Sequence, residues 1–166
     1  PAGQEGYTTC DTSTNNEKFI RKNNMKQQQV AILLTCHNRK QKTLLCLSSL
    51  WEATIPEGYA YDIFLTDDGS TDGTTAEVMQ RFPQVNIIAG NGNLFWAGGM
   101  RAAWQKAIEQ KDYDAYLLLN DDVILDTDFW LNLMKAEKFS LEKTGKKGIY
   151  SGATIEAATG KPTYGS

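Results

Sequence analysis

The sequence predicts an α/β fold, a mostly parallel sheet with helices on both faces. Short apolar runs alternate with stretches of helical periodicity, the pattern of repeated βαβ units. Of the four segments that follow apolar runs, three are unusually polar or rich in glycine. In such sheets ligands sit beyond the carboxyl ends of the strands.

The elements follow in order. Val30–Thr35 is continuously apolar, as in a strand buried on both faces. Gln41–Ala53 carries Leu44, Leu47, Leu50 and Trp51 at helical spacing. Pro56 and Gly58 punctuate, and Tyr61–Thr66 is a second strand. A helix is expected from Thr71 or Asp72 to about Phe82, where Pro83 stops it. Val85–Ala89 is a third strand, Gly90–Gly99 a loop, and Met100–Gln110 a helix. Ala115–Leu119 is a fourth strand; Thr127 is the expected cap of a helix reaching about Lys143. Ile149–Ile155 reads as a fifth strand, and Thr159–Gly160 as a hairpin turn.

Residues 1–28 are rich in Asn, Gln, Thr and Lys and too poor in large apolar residues to offset their ordering entropy. They are expected to form a loosely ordered leader, with residues 1–24 outside the natural domain and 29–166 a single unit. The 166 residues carry a net charge of −3, which argues against a general nucleic-acid binder. Cys10, Cys36 and Cys46 form no CxxC pair, and with one histidine they do not suggest structural zinc. No apolar run is long enough to span a bilayer, while peripheral membrane association stays open.

Two acidic segments carry the chemistry. Asn120–Asp121–Asp122 ends a buried run, and adjacent carboxylates repel unless a cation or hydrogen bonds compensate. A hard divalent ion favours such oxygens together with substrate phosphates. The plainer alternative is a solvated loop whose aspartates cap the next turn. Asp67–Gly73 (DDGSTDG) is either a nucleotide-binding edge or a tight turn with Asp72 as helix cap. A calcium loop counted from Asp68 places Met79 where the bidentate glutamate is required. A phosphatase nucleophile loop would need an aspartate at Ser70. No GxGxxG follows the first strand.

Gly98 and Gly99, placed just before the predicted helix, would offer free N–H groups to a phosphate or sugar, and Arg101 would add charge. Trp96 and Phe95 would cover a ring; alternatively Phe95 and Trp104 are core residues and Arg101 a solvated face. His37 is as much a bystander as a ligand contact. Cys36 and Cys46 read as packing residues.

Taken together, ILLTCHNR, FLTDDGSTDGT, NGNLFWAGGMRAAW and LLLNDD resemble the inverting family 2 glycosyltransferases of GT-A fold, in particular a bacterial subgroup that builds surface polysaccharides. The likeness covers residues 30–165. It implies a cytoplasmic enzyme, or one at the inner face of the membrane, that moves a sugar from a UDP- or dTDP-type donor to a glycan or lipid-linked acceptor. It implies that Thr35, His37, Asn38 and Arg39 line the base pocket, that Asp68 contacts the base, and that Asp121 holds the ribose. Asp122 would ligate Mg²⁺ or Mn²⁺, with Asn120 replacing the first aspartate of the common Asp-x-Asp triplet. The family's catalytic base would lie beyond Ser166. The chain is therefore expected to be truncated before the acceptor half and to bind donor without efficient transfer. A sugar nucleotidyltransferase would show a glycine-rich basic loop where this chain has TCHNRK. A non-catalytic nucleotide-binding module is the other alternative.

Overall fold

The computed structural model describes residues 27–156 and 158–164. The leader therefore lies outside the described residues, except for Gln27 and Gln28. The main sheet holds β1 (Gln28–Cys36), β2 (Tyr59–Asp67), β3 (Asn86–Ala89) and β4 (Ala115–Leu118), in the order β3-β2-β1-β4. All three pairings are parallel. Between them run α1 (Lys40–Glu52), α2 (Thr74–Arg81) and α3 (Phe95–Gln110), with α4 (Phe129–Thr144) after β4.

Alternation along β1 sorts the core into two layers. Val30, Ile32, Leu34 and Cys36 face Leu44, Leu47 and Leu50 of α1, Val78 of α2 and Trp130 of α4. Ala31 and Leu33, with Phe64 of β2, face Met100, Ala103 and Ala107 of α3. Helices thus cover both faces, which is why β1 needs apolar residues at consecutive positions. Each fully buried Leu or Ile contributes about 1.5–3 kcal/mol.

The register fixes the rim. Cys36 pairs with Asp67 at the ends of β1 and β2, and Leu118 ends β4 opposite Leu33, three residues lower, so the segments after β1, β2 and β4 emerge at the same end of the sheet. Asp67 also pairs with Ala89 at the end of β3.

Most predicted boundaries move by one or two residues, and four shifts have a local physical cause. α3 begins at Phe95 rather than Met100, so Gly98 and Gly99 lie inside it, and the Gly98 N–H bonds Leu94 O at 3.0 Å. Glycine's poor helix propensity is overridden here by packing. A Cβ on Gly99 would meet Thr35 Oγ1 at 2.0 Å, so only glycine lets α3 close onto β1. α2 begins at Thr74 because Gly73 takes φ +83° and turns the chain first. Asp128, not Thr127, flanks α4. The fifth strand shrinks to β5 (Thr154–Ile155), antiparallel to β6 (Pro162–Tyr164) in a separate two-stranded sheet. Ile149 is fully exposed, with no neighbouring strand to extend the ladder. The Thr159–Gly160 turn is present, both N–H groups bonding Glu156 O.

Gly99→Ala is expected to destabilise the fold by about 1–3 kcal/mol through overpacking against Thr35. Gly152→Ala, where an added Cβ meets nothing within 4 Å, should be near neutral. Urea unfolding of the two variants compares them directly; equal midpoints would contradict the close-packing account.

Candidate functional site

The segments after β1 and β2 are laced together. Asn38, at φ +51°, accepts from Thr71 N and Thr71 Oγ1 through Oδ1, while its own N–H reaches Ser70 Oγ. His37 Nδ1 lies 2.6 Å from Asp68 O, and Nε2 lies 3.0 Å from Asn38 Nδ2. A carbonyl only accepts and an amide nitrogen only donates, so His37 carries its proton on Nδ1. Asp72 accepts from Lys40 N at the start of α1 and from Thr74 N at the start of α2, tying the two helix starts together. The cap position of α2 itself is Gly73 rather than Asp72, which serves the first N–H from one residue before it.

Asp68 is buried, and its carboxylate closes the glycine loop. Oδ1 accepts from Gly92 N at 2.8 Å; Oδ2 accepts from Leu94 N at 2.9 Å and Phe95 N at 3.0 Å. The N–H groups of Gly98 and Gly99, expected to be free, instead lie inside α3, Gly98 N bonding Leu94 O, while the Asp68 carboxylate takes the N–H of Phe95 at the helix start. Burial raises the Asp68 carboxyl, but the three N–H donors outweigh it and hold the group below the usual carboxylate range. Phe95 takes φ +54°, rare for a side chain with a Cβ, and is 78% exposed. Trp104 is also partly exposed, so neither aromatic is a core residue.

Across the rim, Trp96 Nε1 donates to Asn120 Oδ1 at 3.0 Å, joining the glycine loop to the acidic turn. Arg39 Nη1 stands 3.3 Å from Asp121 Oδ1 and 3.2 Å from Asp122 Oδ2. Lys42 Nζ is 3.7 Å from the same Asp122 oxygen, and Thr43 Oγ1 is 3.4 Å from Asp121 Oδ2. Burial raises the Asp121 carboxyl; Arg39 opposes this and Asp122 adds to it. Asp122 is more open, its side chain 35% exposed against 7% for Asp121.

The structure therefore brings His37, Asn38, Arg39, Asp68, Trp96, Asp121 and Asp122 onto one rim. Thr35 is buried beneath Gly99, Gly98 lies in the first turn of α3, and Arg101 is exposed on α3 and joins none of these contacts. Lys42 and Thr43 escaped the sequence reading, although their i+3 and i+4 spacing from Arg39 puts them on its helix face. Burial pushes the Cys36 and Cys46 thiols up to about 12, so both remain protonated packing groups. Among the described residues, no three His, Cys, Asp or Glu side chains cluster as a metal cage. No described helix is long and apolar enough to cross a membrane.

Asp68→Ala should strip hydrogen-exchange protection from the amides of Gly92, Leu94 and Phe95 and lower the thermal midpoint at neutral pH. Because the folded carboxyl is lowered, its contribution is full above the unfolded value of about 3.9 and is lost as pH falls through the folded one. The stability gap between wild type and variant should therefore narrow on acidification; a gap that widens would refute the assignment.

The geometry can be set beside known proteins. No curated protein matches the chain significantly. Among solved structures, the chain is similar to a mannosyltransferase from Pyrobaculum calidifontis in complex with GDP-Man and Mn²⁺, with a TM-score of 0.53 and 15% identity over 74% of this chain and 38% of that one. It is also similar to S. aureus TarS 1–349, with a TM-score of 0.51 and 16% identity over 80% of this chain and 43% of that one. The same TarS region in complex with UDP-GlcNAc gives 0.51 and 18% over 78% and 38%. The chain thus spans between 38% and 43% of the length of these structures, and at such identities the likeness is one of fold. The sequence model of glycosyl transferase family 2 matches residues 31–140, more than half of the chain, and the chain belongs to that family.

Proposed function

We propose that the rim binds a nucleotide-diphosphate sugar of UDP or dTDP type together with Mg²⁺ or Mn²⁺. The whole protein then transfers the sugar, with inversion, to a hydroxyl of a glycan or lipid-linked acceptor in surface-polysaccharide synthesis, at the cytoplasmic face of the membrane. The observation that carries this reading is the Asp121–Asp122 pair gathered around the Arg39 cation at the carboxyl ends of a parallel sheet. Two carboxylates that already hold a positive group there fit a hard divalent ion.

Asp122, the more exposed of the pair, is the proposed metal ligand, with Asp121 directed to the ribose. A bound ion supplies charge neutralisation on the departing diphosphate. Asp68 uses three of a carboxylate's roughly four lone-pair positions on backbone N–H groups, leaving one for a base N–H. His37 and Asn38 fix the turn beside it. Trp96, pinned by Asn120, forms a wall for a ring. Gly98, Gly99 and Thr35 act through the seating of α3, and Arg101 adds positive charge on that helix. Attack by the acceptor hydroxyl needs a general base, and no described residue is assigned that role.

Calorimetry of the chain with UDP or dTDP, with and without Mn²⁺, tests the reading. Binding should require Mn²⁺ and weaken at least about tenfold, roughly 1.4 kcal/mol, in Asp122→Ala. Nucleotide binding that is indifferent to both the ion and Asp122 would refute it.

A further inference from the structure

The Arg39 contact is loose for what it joins. A single nitrogen, Nη1, serves both carboxylates at 3.3 and 3.2 Å, where charge-assisted bonds usually span about 2.7–2.9 Å. Neither carboxylate receives the two parallel bonds a guanidinium can make. The Arg39 side chain is half exposed, so it has room to swing. Lys42 stands one turn further along α1, weakly placed on the same Asp122 oxygen. A guanidinium does not lose its proton in proteins. Such an exposed pair opens readily to water, but the carboxylates stay without Arg39 only when another cation replaces it or another anion draws it away. A nucleotide diphosphate carrying its divalent ion offers both together.

On the reading that this rim holds such a complex, we infer that Arg39 is a placeholder cation that makes ion binding conditional on nucleotide. In the free protein it occupies Asp121 and Asp122 and disfavours a bare divalent ion. When ion and nucleotide enter together, the ion takes Asp122, Asp121 is freed for the ribose, and Arg39 turns with Lys42 to the diphosphate oxygens. Arg39 is then a neutralising partner of the acidic turn and, with ligand bound, a contact to the diphosphate rather than a wall of the base pocket.

The two consequences have opposite signs. Without the guanidinium, Asp121 and Asp122 face an incoming ion unneutralised; one unit charge at this range in a partly exposed site changes ion affinity about tenfold. The same loss removes a cation from the diphosphate. A purely structural arginine would weaken both events or neither.

The test is titration of the chain with Mn²⁺ followed by electron paramagnetic resonance, with and without UDP, for wild type, Arg39→Met and Arg39→Lys. Arg39→Met should bind Mn²⁺ alone about tenfold more tightly, and UDP in the presence of Mn²⁺ more weakly. Arg39→Lys should return toward wild type in both. If wild type binds UDP with Mn²⁺ through Asp122, yet folded Arg39→Met shows no gain for Mn²⁺ alone, the placeholder role is overturned and the site stands. If no chain binds Mn²⁺ in either condition, both fall. Should Arg39→Met not fold, Lys42→Met carries the same test: a smaller gain for Mn²⁺ supports the role, and no gain overturns it.

Discussion

The rim is organised by one carboxylate. Asp68 follows β2, yet its oxygens take the N–H groups of Gly92, Leu94 and Phe95, more than twenty residues on. Those bonds shape the glycine loop, start α3 and set the direction in which Trp96 leaves it. A Cβ at Gly90 would sit 2.6 Å from Asp68 Oδ1, so the loop can close on the carboxylate only with glycine there. Once α3 starts at Phe95, Gly99 falls above Thr35, and Thr66 Oγ1 donates to Gly99 O at 2.8 Å. The end of the sheet and the start of the helix are therefore one packed unit, joined by the residue read from the sequence as a base contact.

Much of the fold was legible because it depends on local periodicity. The apolar runs of β1 and β2 and the leucine spacing of α1 each declare burial within a few residues. The run before Asn120 reads as buried too, but β4 is a partly exposed edge strand, and only Leu119 beyond it is buried. Clustered aspartates at successive strand ends still point to the rim, because parallel strands bring their carboxyl ends together. What escaped was non-local. The start of α3 is decided by a cap from another loop, and propensity alone places glycines outside a helix. Arg39 pairs with carboxylates 82 and 83 residues away, and no spacing rule announces that. β5 failed for the opposite reason: β propensity at Ile149 and Tyr150 had no partner strand to act on.

Across this rim the charges are set by surroundings rather than by residue type. Five aspartates lie in the two acidic segments, yet Asp68 is held low by backbone donors while Asp121 is raised by burial and its neighbour. Asp68 is stabilised as an anion with its partners fixed in the backbone, which cannot leave. Asp121 is compensated by a side chain that can. A carboxylate held by backbone and a carboxylate pair held by a mobile side chain thus stand on the same rim, the first maintaining shape and the second, on the proposed reading, the seat of a ligand cation.

The acidic turn after β4 needs its own anchor, because among the described residues β4 is a four-residue edge strand paired only with β1. That anchor comes from α1. Cys46 Sγ donates to Asn120 O at 3.4 Å, Thr43 Oγ1 reaches Asp121, and Ser49 Oγ accepts from Leu125 N at 3.0 Å. Thr43, Cys46 and Ser49 recur every three residues on the helix face turned toward the turn after β4. Cys46, kept protonated by burial, serves as a donor there rather than as a reactive thiol. The same helix that sends Leu44, Leu47 and Leu50 into the core therefore holds the acidic turn with small polar side chains. It also presents Arg39 and Lys42 to that turn from its first residues. Core packing, carboxylate placement and the neutralising cations all refer to one rigid element, which fixes the carboxylate pair independently of the cation beside it, as the proposed exchange requires.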